Sequence, residues 1–354
     1  MKEAGAKRSA GRCALFGLVL LFTIAGVTVH AADLYFPSPM GVWQTVKPAD
    51  AGWDADKLSE ALEFAGASKS SGVVVLHNGR ILTERHWQLD GARLKQGQTT
   101  AGHSVEDVAS VQKSVVSILV GIAQERGLLA IDDPVNKHLG KRWSRATTEQ
   151  ESAITIRHLL TMTSGLSVRA AFKAPAGTSW QYNTPIYART VDLLETASGL
   201  DRHKLTEKWL TEPLGMADSR WVPRGTSAAR QVNGFGFATS ARDLARFGLM
   251  MLAQGSWAGN PVIKDVTYLQ AATSSSQELN PYYGYLWWVN RNAFTGAHRL
   301  QLDSAPIDLI AANGALSRHC YVVPSLGLVV TRLGEATGEG FAKEFWRLLM
   351  AAGQ

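Results

Sequence analysis

The sequence predicts an α/β fold in which one antiparallel sheet is built from both ends of the chain, flanked by helices, with a mostly helical inserted stretch of about residues 125–275. Three observations lead there. Strand-forming runs lie near both ends of the chain. Helical and loop signals fill the middle. The N-terminal hairpin cannot stand alone, because a two-stranded hairpin is marginal in water, so it must find partners among the C-terminal strands.

The elements follow in order. Residues 32–51 carry Pro37, Pro39 and Pro48 without a clear period and read as an extended arm. Asp54 is placed to cap a helix with Leu58, Ala61, Leu62 and Ala65 on one face. The runs 72–77 and 80–87 are joined by Asn78-Gly79, a strong short hairpin signal. Residues 88–105 are polar and read as a loop. Val115, Ile118, Leu119 and Ile122 then give a greasy helix that begins near Ser110 and stops at Gly127. From Asp132 to about Phe247 the signals are helical or loop-like. They include short helices over 155–165, 187–198 and 205–214, and one capped by Ser240. Gly234-Phe-Gly236 reads as a loop before that cap. Strands are expected over 283–289, 309–312, 319–323 and 326–333, the last two turning at Pro324-Ser325, and Phe341, Phe345, Leu348 and Leu349 mark a closing amphipathic helix.

With 45% hydrophobic and 19% charged residues over 354 positions, the composition is that of a globule with a large core. Residues 1–31 stand apart. Lys2, Lys7, Arg8 and Arg12 precede an apolar run from Cys13 to Val29, and Val29-His30-Ala31 ends in a form suited to cleavage. This is the pattern of a secretory signal peptide, so the expectation is an exported protein, periplasmic or secreted, whose working domain is 32–354 and which is not inserted in the membrane after cleavage. Part of the net charge of +6 belongs to this segment, and what remains forms no nucleic-acid-binding stripe. Cys13 falls in the same segment, which leaves Cys320 without an intrachain partner; it sits in an apolar strand pattern and reads as a core residue. The eleven Trp read mainly as core.

The chemistry is expected at Ser110-Val-Gln-Lys113. Residues three apart on a helix share a face, so an amine stands beside a hydroxyl. A serine hydroxyl is a poor nucleophile until a neighbouring base takes its proton, and a neutral lysine can be that base. Other chemistries find no motif. There is no Gly-x-Ser-x-Gly, His-Glu-x-x-His or paired Cys-x-x-Cys, so neither a metal nor another cofactor is expected. His77, His86, His158 and His319 are scattered and read as packing or surface residues. A four-residue pattern arises readily by chance, and its weight comes from what accompanies it.

Four further stretches accompany it: residues 156–165, residues 177–187 with Tyr182-Asn183-Thr184, the run 240–248, and Tyr283-Gly-Tyr-Leu-Trp-Trp288. In this order they resemble the serine hydrolases related to class C β-lactamases, a family that includes penicillin-recognising peptidases, esterases and aminohexanoate-oligomer hydrolases. The resemblance covers nearly the whole of 32–354, and the wording around Trp287 and Trp288 is most similar to the 6-aminohexanoate-dimer hydrolase and esterase branch. It implies a β-lactamase/transpeptidase-like fold, in keeping with the layout above. It also implies that Ser110 is the acylated nucleophile, that Lys113 holds or accepts its proton, and that Tyr182 shares the acid and base work, with Lys113 supplying the cationic field a phenolate needs. The oxyanion would be held by the backbone N–H of Ser110 and one from a sheet strand.

Two departures bear on specificity. The family's second motif usually ends in Asn where this chain has Thr184, and a hydroxyl offers fewer hydrogen bonds than an amide. For the third motif, a Lys- or His-containing triplet ending in Gly, the nearest candidate is Ala312-Asn313-Gly314, which carries no cation. Thr184, Asn313 and Gly314 are therefore the candidate substrate-binding residues. A missing cation points away from the carboxylate of β-lactams and towards a small neutral ester or amide. The expected activity is hydrolysis through an acyl-enzyme on Ser110. A β-lactamase or D-alanyl-D-alanine peptidase, and a non-catalytic penicillin-binding-like sensor, are the alternatives.

Overall fold

The computed structural model describes Met1 and residues 34–39, 41–225, 233–294 and 301–353. The expected signal peptide, apart from Met1, lies outside the described residues. Among them, no helix is long and apolar enough to cross a membrane.

The described residues form twelve strands: β1 (Ser70–His77), β2 (Arg80–His86), β3 (Lys95–Gln98), β4 (Ser104–Asp107), β5 (Arg220–Pro223), β6 (Phe235–Ser240), β7 (Ser256–Trp257), β8 (Asn260–Pro261), β9 (Trp288–Val289), β10 (Ile310–Gly314), β11 (Arg318–Val323) and β12 (Leu328–Gly334). The main sheet has the order β2-β1-β12-β11-β10-β9, and every pair in it is antiparallel. Both ends of the chain meet at its centre, where β1 pairs with β12 from Ser70↔Gly334 to His77↔Leu328. The hairpin turn falls at Asn78-Gly79, with φ of 49° and 82°, the left-handed pair that a tight hairpin favours.

Side chains alternate across this sheet, as the strand period of two requires. Val73, Val75, Tyr321, Val323, Leu328 and Val330 face one core, closed by the helices Ala55–Ala67 and Phe341–Ala352. Val74, Leu76, Cys320, Val322 and Val329 face the other, closed by the helices Gln112–Glu125 and Ala241–Leu252. Asp54 caps the first helix by accepting from Asp56 N–H at 2.9 Å and Lys57 N–H at 3.0 Å. Its own N–H reaches Ala352 O at 2.8 Å, so the two terminal helices are tied end to end.

The structure corrects the sequence reading in four places. The polar stretch expected as a loop contains β3 and β4. These join β6 and β5 in a second antiparallel sheet of order β3-β4-β6-β5. The mostly helical stretch 125–275 thus contributes β5 and β6 to a sheet, and its helix Ala241–Leu252 packs on the main sheet. These strands are four to six residues long and several are polar or contain glycine, so they carry little alternation to read. Gly234-Phe-Gly236 is no loop, because Phe235 opens β6. The strand expected over 283–289 shrinks to Trp288–Val289, since Leu286 takes a left-handed φ of 61° that an extended strand cannot contain. Finally, Ser110 lies in a short 3-10 turn, Ala109–Val111, just ahead of the buried helix rather than within it.

A buried charged cluster joins the two sheets. Glu106 of β4 accepts from Arg318 Nη2 of β11 at 2.6 Å and from Gly334 N–H of β12 at 3.2 Å, and it also takes the Ser71 hydroxyl. Arg318 and Glu106 are both fully buried. Arg332 of β12 donates to Leu316 O at 2.7 Å and Ser317 O at 3.0 Å, holding a turn in which both residues are left-handed, at φ 64° and 58°.

Two substitutions grade these supports. Removing the cap with Asp54→Ala should lower unfolding free energy by about 1 kcal/mol. Emptying the terminal core with Trp346→Ala should cost about 3–5 kcal/mol, since its side chain is fully buried. Urea unfolding followed by fluorescence and circular dichroism measures both, and equal losses would contradict the layered core described here.

Candidate active site

Ser110 is presented by a turn with an unusual backbone. Ala109 before it has φ of 51°, a left-handed conformation that costs a residue with a Cβ free energy and persists only where the surroundings enforce it. Ala109 N–H donates to Asp107 Oδ1 at 2.9 Å, Val108 N–H to Phe237 O of β6 at 2.9 Å, and Val111 N–H to Val108 O at 3.2 Å. The turn thus rests on the second sheet, and the buried helix Gln112–Glu125 runs on from it into the core.

Lys113 is in the first turn of that helix, 2% exposed, with Nζ donating to Ser110 Oγ at 2.9 Å. The amine stands 4.8 Å from the ring centre of Tyr182 and 4.7 Å from that of Tyr187. Burial penalises its charged form, and the positive charge of Arg224 adds to this, so its pKa falls from 10.5 to about 7. At neutral pH a substantial share of Lys113 is therefore a free amine in contact with the hydroxyl.

Tyr182 is brought to the same place, with its ring centre 4.8 Å from the Lys113 amine. Burial raises its pKa, and the neighbouring Ser110 hydroxyl only partly opposes this. The phenolate that the sequence reading allowed is thus disfavoured, and Tyr182 stands at Ser110 as a neutral phenol. Tyr182 also belongs to an aromatic wall: Trp288 stacks with it at 6.1 Å between centroids, and Tyr283 meets Trp288 edge-on at 4.9 Å and Trp180 at 5.6 Å. Trp287 is fully buried and stacks with Phe247 at 5.8 Å, so the two adjacent tryptophans have different surroundings.

The three candidate substrate-binding residues fare differently. Gly314, at the end of β10, is brought against the nucleophile turn: a Cβ there would stand 2.4 Å from Val108 O and 3.3 Å from Ser110 N, so only glycine allows this approach. Asn313 precedes it, half-buried, with Oδ1 2.9 Å from His319 Nδ1. Burial, with Arg332 adding to it, pushes His319 down to about 3, so the imidazole is neutral and no cation is supplied here. Thr184 is not brought to the nucleophile. It opens the helix Thr184–Ser198 and, among the described residues, makes no hydrogen bond to Ser110, Lys113 or Tyr182. The neighbouring amide, Asn183, is committed to structure: it caps that helix by accepting from Ile186 N–H at 3.3 Å and donates to Leu166 O at 2.8 Å.

Sequence reasoning missed Asp107, Gln112, Tyr187 and Arg224. Asp107 left a faint signal, a carboxylate three residues before the serine at the mouth of an apolar helix. Arg224, more than a hundred positions away, left none. Among the described residues, no group of His, Cys, Asp or Glu side chains is placed to hold a metal ion.

Comparison with known proteins bears on the family and the fold. The chain is 27% identical over 322 residues to an uncharacterized protein of Alkalihalophilus pseudofirmus, covering 80% of this chain and 89% of that one. It is 27% identical over 183 residues to Esterase EstB of Burkholderia gladioli, a match spanning 42% of this chain and 46% of the esterase. A Bacillus anthracis structure assigned as a 6-aminohexanoate-dimer hydrolase superposes with a TM-score of 0.64 at 13% identity, covering 92% of this chain and 88% of that one. The family model named Beta-lactamase matches residues 55–353, which include the nucleophile turn, the aromatic wall and both terminal helices. The chain belongs to the Beta-lactamase family and carries its hydrolase fold.

Proposed function

We propose that this protein is a serine hydrolase that cleaves a small neutral ester or amide through an acyl-enzyme on Ser110. The observation that carries this reading is the 2.9 Å contact between Ser110 Oγ and Lys113 Nζ, with the amine buried enough to be partly neutral at pH 7. In acylation, Lys113 accepts the Ser110 proton as Oγ bonds to the substrate carbonyl carbon. The negative charge that develops on the carbonyl oxygen is met by the Ser110 N–H and a strand amide of β10, a form of stabilisation worth several kcal/mol in related chemistry. Tyr182, a neutral phenol beside the same oxygen, passes a proton to the leaving group as the bond breaks. Lys113 then hands the proton it took from Ser110 to the Tyr182 phenolate, which restores the free amine and the phenol. Water attacks the acyl carbonyl carbon and gives a proton to Lys113, and the Ser110–acyl bond breaks as Lys113 returns that proton to Ser110 Oγ.

The substrate class follows from what surrounds these groups. The third-motif position offers the Asn313 amide and a neutral His319, and the wall is aromatic. Neither suits a carboxylate, which disfavours efficient β-lactam hydrolysis. The esterase relative supports the same choice. The basic and apolar start of the chain supports export to the periplasm or beyond.

A fluorophosphonate ester should label the wild type and leave Ser110→Ala unlabelled; equal labelling would remove Ser110 from the chemistry. Lys113→Met should reduce kcat/KM by about 10²–10⁴-fold, the usual contribution of a positioned base. In the wild type, kcat/KM should rise with pH through a limb near 7 and level off above it, because the free amine is the active form. A limb near 10 would mean that Lys113 works charged. In a substrate panel, p-nitrophenyl esters should be turned over well ahead of a chromogenic cephalosporin, with a linear aminohexanoate dimer testing the amide reading. Fast cephalosporin turnover would overturn the neutral-substrate preference.

A further inference from the structure

The left-handed Ala109 needs something to hold it, and the residue best placed to do so comes from a distant part of the chain. Arg224 follows β5, and its N–H is bonded to Gly234 O at 3.0 Å. Its guanidinium grips Asp107 with two parallel bonds, Nε to Oδ2 at 2.8 Å and Nη2 to Oδ1 at 2.9 Å. The same Nη2 reaches Gln112 Oε1 at 3.2 Å. Asp107 and Gln112 bracket the nucleophile. Asp107 Oδ1 takes the Ala109 N–H, and Gln112, between Ser110 and Lys113 on one side and β6 on the other, takes the Phe237 N–H at 3.2 Å. Space for the carboxylate is left by Gly236, where a Cβ would stand 2.1 Å from Asp107 Oδ2. Asp107 is 2% exposed at its side chain and Arg224 is 19% exposed, so the pair is shielded enough for a two-point bond to matter.

We propose that Arg224 is a positioning residue for the nucleophile: it holds Asp107 and Gln112, and through them fixes the turn that presents Ser110. Its charge does a second thing at the same place. The groups around the Lys113 amine are the hydroxyl of Ser110, the rings of Tyr182 and Tyr187, and the cation of Arg224 on the side of Gln112. Among the described residues Arg224 is the charge that acts on it, and it favours the free amine. One side chain therefore holds the geometry of the nucleophile and, second to burial, favours the free form of its base.

The inference rests on the acyl-enzyme reading, and two separate readouts keep their failures apart. The first is amide hydrogen exchange at residues 109–111 in wild type, Arg224→Met and Arg224→Lys, which does not depend on any reaction. Exchange should quicken in both variants, because an ammonium cannot span both Asp107 oxygens and Gln112. Unchanged exchange in both would overturn the clamp whatever the chemistry. The second is the pH dependence of fluorophosphonate labelling. Arg224→Met should label about 10–100-fold more slowly at neutral pH, with its rising limb displaced to higher pH because Lys113 has lost a neighbouring positive charge. Arg224→Lys should also be slow, but with its limb close to that of the wild type, because the charge is kept. Wild-type labelling rates in both variants, or equal slowing with both limbs unmoved, would overturn the proposal. If Arg224→Met fails to fold, Arg224→Lys decides alone: a wild-type rate with wild-type exchange overturns it. Labelling that survives Ser110→Ala would instead sink the acyl-enzyme reading and leave the exchange result standing.

Discussion

A lysine amine with no carboxylate beside it among the described residues is buried at the centre of this protein, and much of the surrounding structure serves to keep it there. A lysine in water holds its proton until pH 10 or so and cannot act as a base at neutral pH. Lys113 escapes this because the helix it opens points into the core, because two tyrosine rings cover it, and because the charge in its neighbourhood, that of Arg224, has the same sign. Burial and the like charge raise the free energy of the ammonium form, and they outweigh the attraction of the ring faces for a cation. The cost is met by the packing of a helix whose residues from Gln112 to Ala123 are all buried. The lowered pKa of the amine is thus a by-product of a core stable enough to tolerate it.

The second sheet shows how a left-handed turn is kept in place. Glu106 and Asp107 are neighbours on β4 and point into different networks: Glu106 to Arg318 and the main sheet, Asp107 to Arg224 and the nucleophile turn. A buried ion pair contributes little net stability on its own, because taking two charges out of water offsets their attraction. It does fix position, since any other arrangement leaves a charge buried without its partner. Arg332 acts in the same way on the Leu316-Ser317 turn beyond Gly314. Both strands that approach Ser110, β4 and β10, are therefore anchored by buried arginines, and backbone conformations that would otherwise relax are held on each side of the serine.

What could be read from the sequence was local or strongly periodic. The Asn78-Gly79 hairpin, the Asp54 and Ser240 caps, the greasy helix after Ser110 and the C-terminal strands all follow from patterns a few residues long. Ser110 and Lys113 were legible for the same reason, being three residues apart. The second sheet was not, because β3 to β6 are short and the β4–β6 pairing that joins its two halves spans more than a hundred positions. Gly236 misled for a physical reason: a glycine in a strand resembles a turn until the carboxylate it makes room for is known. Thr184 drew attention by its place in a motif, but the structure uses it to start a helix and assigns the neighbouring Asn183 to capping. Arg224 was invisible, because nothing local to it shows that its partners are Asp107 and Gln112.

The pairing of β1 with β12 has a bearing on how the molecule comes into being. Ser70 lies opposite Gly334, so the middle of the main sheet joins positions far apart along the chain. Such long-range pairings form slowly, because the chain must lose the freedom of a very large loop before any contact rewards it. During synthesis the first hairpin emerges early and has no partner until β12 has followed. Gly314, which closes on the nucleophile turn, is also made late. Ser110 and Lys113 thus exist as covalent neighbours long before they stand in a shaped site, and the protein acquires its chemistry only when its last strands and its closing helix have arrived.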